Sequence, residues 1–407
     1  MPLTKINHVL SKHVEGLKEK GTAKGKELIV NKIIKGAGVK GPRYILEGHG
    51  DKEFIKMNSN SYLGMSMNPQ VIKAEETAAV EFGVGPGAVR FISGTHRVHR
   101  DLEKKLAQFH GRDDAMIFSA AYVTILSVIS CLTTAETIII SDELNHNCII
   151  NGVRLSRPAD KMIYKHLDMK ELEEQIKKSI GKAKRLLIIT DGIFSMRGDY
   201  APLNEIKLIC EKYDSEFAEN IILIVDDSHG VGAFGETGRG TEEYSGNVKV
   251  DVLIGTMGKA YGVNGGYVTS SQEIITYLRE SSPMYIYSNP ITCSEAAAVH
   301  KVLDILDSSE GTKTLTHLRA LTKRFETGLK SLGFEIIESD HPIVPLMVRD
   351  TEKTSSLVKY LLQNGVIATG LNFPVVPKGD QSIRFQINGD HTEADIDEVL
   401  NILKNYK

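Results

Sequence analysis

Lys259 lies within DVLIGTMGKAYGVNGGYV, residues 251–268, where Gly255, Gly258, Gly262, Gly265 and Gly266 surround it. The Val252-Leu253-Ile254 run suits a buried parallel strand, and the glycines after it permit tight turns and close approach to a ligand. Lys259 then falls just past a strand's carboxyl end, the side of an open α/β sheet where ligands bind. Two chemistries compete for it. A phosphate loop needs G-x-x-x-x-G-K-[ST], but Leu253 stands in place of the first glycine and Ala260 in place of the hydroxyl residue. A Schiff-base lysine needs only an amine that gives up its proton easily and can condense with an aldehyde. A solvated surface lysine is the commonest fate of the residue, and the glycines and the apolar strand argue against it.

An aldehyde that serves as an electron sink needs a lysine, an acid at its ring nitrogen, a ring on its face and donors for its phosphate. Candidates for these parts are present. Asp226 ends the apolar run 221–225, where a carboxylate calls for a cation beside it. His229, three residues on, is placed to reach a ring oxygen, and Thr256, three residues before Lys259, suits a phosphate oxygen. Ala121 and Tyr122 lie in a small-residue turn whose backbone N–H groups can do the same.

These residues require a sheet to gather them. From residue 115 onward, short β-rich runs alternate with helical stretches: runs at 115–118, 137–140, 186–190, 221–225 and 252–254, helices at 169–180 and 202–213. Such alternation predicts an α/β fold with a mostly parallel sheet covered by helices. The runs end in Ser119, Asp142, Asp191, Asp226-Asp227 and Thr256, at the edge where a site assembles. Upstream, an amphipathic arm from Leu3 to about Leu28 carries Ile6, Leu10, Val14 and Leu17 on one stripe. A hairpin follows over 43–57, then helices over 68–82 and from 95 to 110. Beyond 296 a smaller α+β unit is expected, with helices at 311–332, 355–364 and 393–405 and strands near 335–337, 344–348 and 382–386. The reading divides the chain into an arm and hairpin (1–60), a large domain (61–295) and a small domain (296–407).

Composition excludes several classes. A net charge of −3, with 41% hydrophobic and 25% charged residues, offers no basic surface for nucleic acid and no disordered or fibrous signature. Cys131, Cys148, Cys210 and Cys293 are widely spaced without a C-x-x-C pair, which speaks against a metal site or a disulfide framework. No stretch is apolar enough to span a membrane and the N-terminus carries charges throughout, so a cytoplasmic protein is expected. Two glycine fingerprints are set aside. Gly83, Gly85 and Gly87 follow a helix and are interrupted by Pro86. Gly230-Val231-Gly232-Ala233-Phe234-Gly235 does follow a strand, but Gly238 and Gly240 keep breaking the backbone where a phosphate-binding helix should begin.

The chain resembles the α-oxoamine synthases over nearly its whole length. The matching stretches are 60–64 (NSYLG), 89–95 (VRFISGT), 141–146 (SDELNH), 190–196 (TDGIFSM), 225–229 (VDDSH), 238–240 (GRG), 255–259 (GTMGK) and 383–386 (IRFQ). The likeness is strongest to the glycine C-acetyltransferase group. The resemblance implies a fold type I pyridoxal-phosphate transferase, with a mostly parallel seven-stranded sheet in the large domain. Its reaction joins an amino acid to an acyl-CoA. It makes Lys259 the Schiff-base lysine, Asp226 the partner of the pyridine nitrogen, and His146 the imidazole stacked on the cofactor. It sets Ser195 and His229 near the phenolic oxygen, Thr256 on the phosphate, and Asn60 and Arg384 on the substrate amino acid. It also implies a homodimer with sites at the interface, where Ser288 of one chain approaches the cofactor phosphate held by the other. Arg197, Ile125 and Pro290 depart from the family pattern on the acyl-CoA side. The identity of the amino acid and the acyl length therefore stay open, between glycine with acetyl-CoA, a decarboxylating long-chain relative, and a fold type I aminotransferase.

Overall fold

The computed structural model describes residues 3–406 except 21 and 24, so two positions of the N-terminal arm lie outside it. Strands Thr137–Asp142 (TIIISD), Ile221–Asp226 (IILIVD) and Val252–Thr256 (VLIGT) are buried along almost their whole length. Near-continuous β-branched runs of this kind can lie only between two helical layers. They belong to a seven-stranded sheet ordered Asp114–Phe118, Gly266–Ser270, Val252–Thr256, Ile221–Asp226, Arg185–Asp191, Thr137–Asp142, Asp160–Tyr164. Gly266–Ser270 runs antiparallel to both its neighbours, and the other pairings are parallel.

The register sets the carboxyl ends side by side, with Asp191 opposite Asp226 and Asp226 opposite Ile254. One face is covered by helices Ala121–Leu132, Asn147–Ser156 and Gln272–Ser281, which bring Ile125, Ile129, Ile149 and Ile275 onto Ile139, Ile189 and Ile254. The opposite face is covered by helices Met169–Ser179 and Leu203–Tyr213, through Leu172, Ile176, Leu203 and Ile206.

A three-stranded antiparallel sheet, ordered Ile343–Met347, Ser382–Gln386, Thr369–Leu371, is formed by the C-terminal part with helices Ser309–Ser331, Thr351–Gln363 and Glu393–Lys404. The strand expected near 335–337 reduces to a single bridge between Ile336 and Leu346. The hairpin Arg43–Leu46/Glu53–Lys56 sits in a third sheet, flanked by Val30–Ile34 and by Val366–Ile367. Helix Thr4–Glu19 buries none of its residues: Ile6, Leu10 and Val14 remain 49%, 55% and 47% exposed. Among the described residues, no helix is long and apolar enough to cross a membrane.

Candidate active site

The loop after Val252–Thr256 is folded back on itself. Met257 N donates to Gly265 O (2.9 Å), Val263 N to Met257 O (3.0 Å) and Gly262 N to Lys259 O (2.9 Å), which fixes the backbone at the lysine. Gly262 has a φ of +68°, and a Cβ there would run into the backbone of Ser66. The Lys259 amine is thereby turned into the sheet's carboxyl edge. Burial lowers its pKa, and the charges of Asp226 and Asp191 oppose that shift only in part. A buried amine with this bias reaches its neutral, nucleophilic form more readily than a solvated one.

Asp226 closes its strand 6% exposed, with Oδ1 accepting Ser228 N at 3.0 Å and Oδ2 facing the Cys148 thiol at 3.6 Å. Asp191, next to it across the sheet, accepts the amide of His146 at 2.8 Å and so anchors the turn that carries this histidine. His146 caps helix Asn147–Ser156: Nδ1 accepts Cys148 N at 3.3 Å and lies 2.8 Å from Cys148 Sγ. Burial lowers the His146 pKa. Burial also pushes Asp191 well above the usual carboxylate range, with the Asp226 charge adding to it. His229 is buried and driven well below its ordinary pKa, first by desolvation and then by the Lys259 charge. Its Nδ1 is hydrogen-bonded to the Tyr62 hydroxyl at 2.8 Å.

The far end of the site is formed by helix Ala121–Leu132. Its first residues are Ala121 and Tyr122, so the small-residue turn expected there is a helix start, and no side chain caps it. Free N–H groups at such an end favour an anion. Gly266 lets this end approach, because a Cβ there would stand 2.7 Å from the carbonyl carbon of Ala120 and nearer still to Ala121. Thr256, opposite Gly266 in the sheet, donates to Gly265 O at 3.3 Å and accepts Gly258 N at 3.2 Å.

One cavity of about 230 Å³ gathers Lys259, Asp226, His146 and His229 with Ser195, Thr256, Ala121 and Tyr122. Asn60 and Arg384 stand beside it, reached through Tyr62. The Asn60 Oδ1 accepts from the Tyr62 hydroxyl and from Arg384 Nη2, each at 3.3 Å. Arg384 is 8% exposed and its Nε has no partner, an unused donor at a guanidinium already out of water. Ser288 does not line the cavity; it follows the short helix Pro283–Ile286, next to the exposed Tyr287. Sequence reasoning missed Cys148 and Ser228, which line the cavity, and Tyr62, which joins His229 to Asn60. Cys148 follows His146 by two residues and Ser228 follows Asp226 by two. That proximity was the available signal.

The chain matches the model of the aminotransferase class I and II family over residues 52–403. It is 40% identical over 350 residues to 8-amino-7-oxononanoate synthase of Thermosipho melanesiensis, covering 86% of this chain and 87% of that protein. It is 36% identical over 401 residues to the mitochondrial 2-amino-3-ketobutyrate coenzyme A ligase of Homo sapiens, covering 98% and 91%. Serine palmitoyltransferase of Sphingomonas wittichii superposes with a TM-score of 0.87 at 26% identity, over 99% of this chain and 97% of that one. A serine palmitoyltransferase from S. paucimobilis, solved with bound PLP-myriocin, does so with 0.86 at 25%, over 99% and 98%. The chain belongs to the class I and II aminotransferase family, in its α-oxoamine synthase branch.

This α-oxoamine synthase is therefore an enzyme of fold type I whose cofactor is pyridoxal 5′-phosphate. The donor set fits that molecule. The cavity offers a buried amine for an aldehyde, a carboxylate for a pyridinium nitrogen and an uncapped helix end for a phosphate. It also holds the buried hydroxyl of Ser228, which has no partner of its own. The glycines of the 230–235 run serve the frame instead. Gly230 and Gly240 leave room for Asp227, whose carboxylate accepts Thr241 N at 2.7 Å, and the segment makes turns rather than a helix start.

Proposed function

We propose that this enzyme condenses a small amino acid, glycine foremost, with an acyl-CoA, releasing coenzyme A and leaving an α-amino-β-keto acid or the aminoketone from its decarboxylation. The observation that carries the reading is the convergence of Lys259, Asp226, His146 and an uncapped helix end on one cavity, with Arg384 and Asn60 at its side. When bound, pyridoxal phosphate supplies an electron sink for the pair left on the amino acid's Cα after a proton departs. Lys259 would hold the cofactor through its aldehyde, and its amine, biased by burial toward the neutral form, would take the Cα proton. Asp226 holds a proton at the pyridine nitrogen. The face of His146 orients the ring, while His229 and Ser195 hold the phenolic oxygen. Thr256 and the N–H groups of Ala121 and Tyr122 hold the phosphate. Arg384 takes the substrate carboxylate and Asn60 steadies the guanidinium.

The division at 60/61 and 295/296 belongs to this proposal, as does a cytoplasmic homodimer with shared sites. The exposed Ile6, Leu10, Val14, Phe91, Ile92 and Tyr287 support a second copy as the cover. Under that arrangement Ser288 serves the partner's cofactor phosphate.

A specific observation favours an acyl group longer than acetyl. A second cavity of about 460 Å³ adjoins the first at His146, Asp191 and Ser195 and is walled by Ile150, Met196, Ile337, Met347, Val375 and Val376. A matrix of glycine, alanine and serine against acyl-CoAs of increasing length, read by thiol release and product mass, tests both readings. Thiol release with no amino acid-acyl adduct in any well refutes the condensation. Transfer of the amino group to an oxo acid would replace it with transamination.

A further inference from the structure

We propose that, before cofactor loading, His146, Cys148 and Asp226 bind one soft divalent cation, zinc(II) foremost, and that this metal and pyridoxal phosphate exclude one another. The exclusion rests on the cofactor reading given above; the metal site itself does not. Wide cysteine spacing speaks against a centre built from several cysteines, whereas this one would use a single thiol. Residues 146 and 148 come from one helix start, and the next ligand, Asp226, comes from the end of a neighbouring strand.

His146 Nδ1, Cys148 Sγ and a carboxylate oxygen of Asp226 all lie within 4.8 Å of one another. Sγ stands 2.8 Å from Nδ1 and 3.6 Å from Asp226 Oδ2. Zinc bond lengths of about 2.3 Å to sulfur and about 2.0–2.2 Å to nitrogen or oxygen need ligand atoms roughly 3.3–3.7 Å apart for a tetrahedron; the sulfur–carboxylate separation already meets this, while the His146 ring must turn away from Sγ. In this structure the single Nδ1 lone pair accepts the Cys148 amide at 3.3 Å, so metal binding would exchange that helix-cap hydrogen bond for the nitrogen–metal bond. Binding breaks the Cys148 S–H bond, forms a sulfur–metal bond and releases that proton to solvent, without any redox change. One thiolate and one carboxylate then neutralise the dication. Sulfur and imidazole select zinc, cobalt or cadmium over magnesium and calcium. The fourth position opens on the 230 Å³ cavity, where water completes the shell. A pyridine ring over His146 with its nitrogen at Asp226 would need the same two ligand groups.

The test uses the full chain freed of cofactor and titrated with cobalt(II) as a spectroscopic probe. We expect a thiolate-to-cobalt charge-transfer band and tetrahedral d–d bands that saturate at one equivalent, with one proton released, and zinc should displace the cobalt. The band should be absent in Cys148→Ser and retained in the Cys131→Ser/Cys210→Ser/Cys293→Ser variant. Asp226→Asn should weaken cobalt binding at least tenfold, which gives a second reading should Cys148→Ser fail to fold. Zinc should slow uptake of pyridoxal phosphate at least tenfold, and preloading the cofactor should abolish the band. No band in the wild type, or a band surviving in Cys148→Ser or in cofactor-loaded protein, overturns the proposal. Failure of the metal-free chain to take up pyridoxal phosphate would instead overturn the cofactor reading and leave the cobalt result standing.

Discussion

Gly266→Ala is a direct probe of the phosphate end of the site. The added methyl would stand 2.7 Å from the Ala120 carbonyl carbon and well inside contact distance of Ala121 N and Cα. All of these are backbone atoms at the start of helix Ala121–Leu132, so no side-chain rotation relieves the clash and the helix end must move away from Thr256. Overpacking of this kind costs about 1–3 kcal/mol of stability. The larger effect falls on the cofactor: each charge-assisted N–H bond lost to the phosphate costs about 1.5–3 kcal/mol, or roughly 10- to 150-fold in affinity. The assay is a pair of fluorescence titrations of the cofactor-free protein, with pyridoxal phosphate and with pyridoxal. Gly266→Ala should weaken the phosphorylated ligand at least tenfold and leave pyridoxal within a factor of about two to three. Equal losses for both ligands would mean that the helix end is not the phosphate cradle. Unchanged affinity for both would mean that the backbone yields without consequence.

Other outcomes follow from the same geometry. Arg384→Ala should raise KM for the amino acid far more than for acyl-CoA, by the roughly 1.5–3 kcal/mol of a charge-assisted carboxylate contact. Arg384→Lys should rescue poorly, because an ammonium lacks the two-point fork; equal effects on both substrates would remove Arg384 from the carboxylate. Burial disfavours charge on His166, yet its hydrogen bonds to Asp142 (3.0 Å) and Asp199 (3.2 Å) carry its pKa up from 6.5 to about 9. Its stabilisation is therefore complete below about pH 6.5 and lost as pH rises through about 9, on the order of 2 kcal/mol after discounting for its solvent-facing edge. Wild type minus His166→Gln in urea unfolding should show that decline, and a flat difference would contradict it. Separately inactive Lys259→Ala and Ser288→Arg chains, mixed as dimers, should recover about a quarter of wild-type activity if Ser288 serves its partner's site. If mixed dimers form and recover nothing, Ser288 acts within its own chain.

The sheet was legible wherever a strand is buried on both faces, because TIIISD, LLIIT and IILIVD permit no other environment. Two strands escaped. Asp160–Tyr164 lies at the sheet edge with Lys161 and Ile163 facing solvent, so its pattern is mixed. Gly266–Ser270 opens on the glycine that lets helix Ala121–Leu132 approach, and that glycine disguised it as loop. The same trade explains Ala121 and Tyr122. A helix that must leave its first N–H groups free for an anion lacks the Ser, Thr, Asp or Asn cap that announces a helix start. The feature that would make this end useful is thus the one that hid it as a turn.

The legible part of the site has a shared physical basis. Asp226 and Thr256 are the last residues of apolar strands and Lys259 lies three residues past one, so their place at the sheet's carboxyl edge can be read from order along the chain. Arg384 and Asn60 meet only because strand Ser382–Gln386 is laid against the backbone near Met57, where Gln386 N donates to Met57 O at 2.8 Å. No spacing between positions so far apart encodes that contact, and it was reached only through family resemblance. Cys148 falls between these cases. Its distance from His146 is local, but its approach to Asp226 depends on how the start of helix Asn147–Ser156 packs over the end of strand Ile221–Asp226. A cysteine census along the sequence sees only thiols far apart from one another. A potential metal centre made of one thiol, one imidazole and one carboxylate becomes visible only when the sheet register has set their backbones side by side.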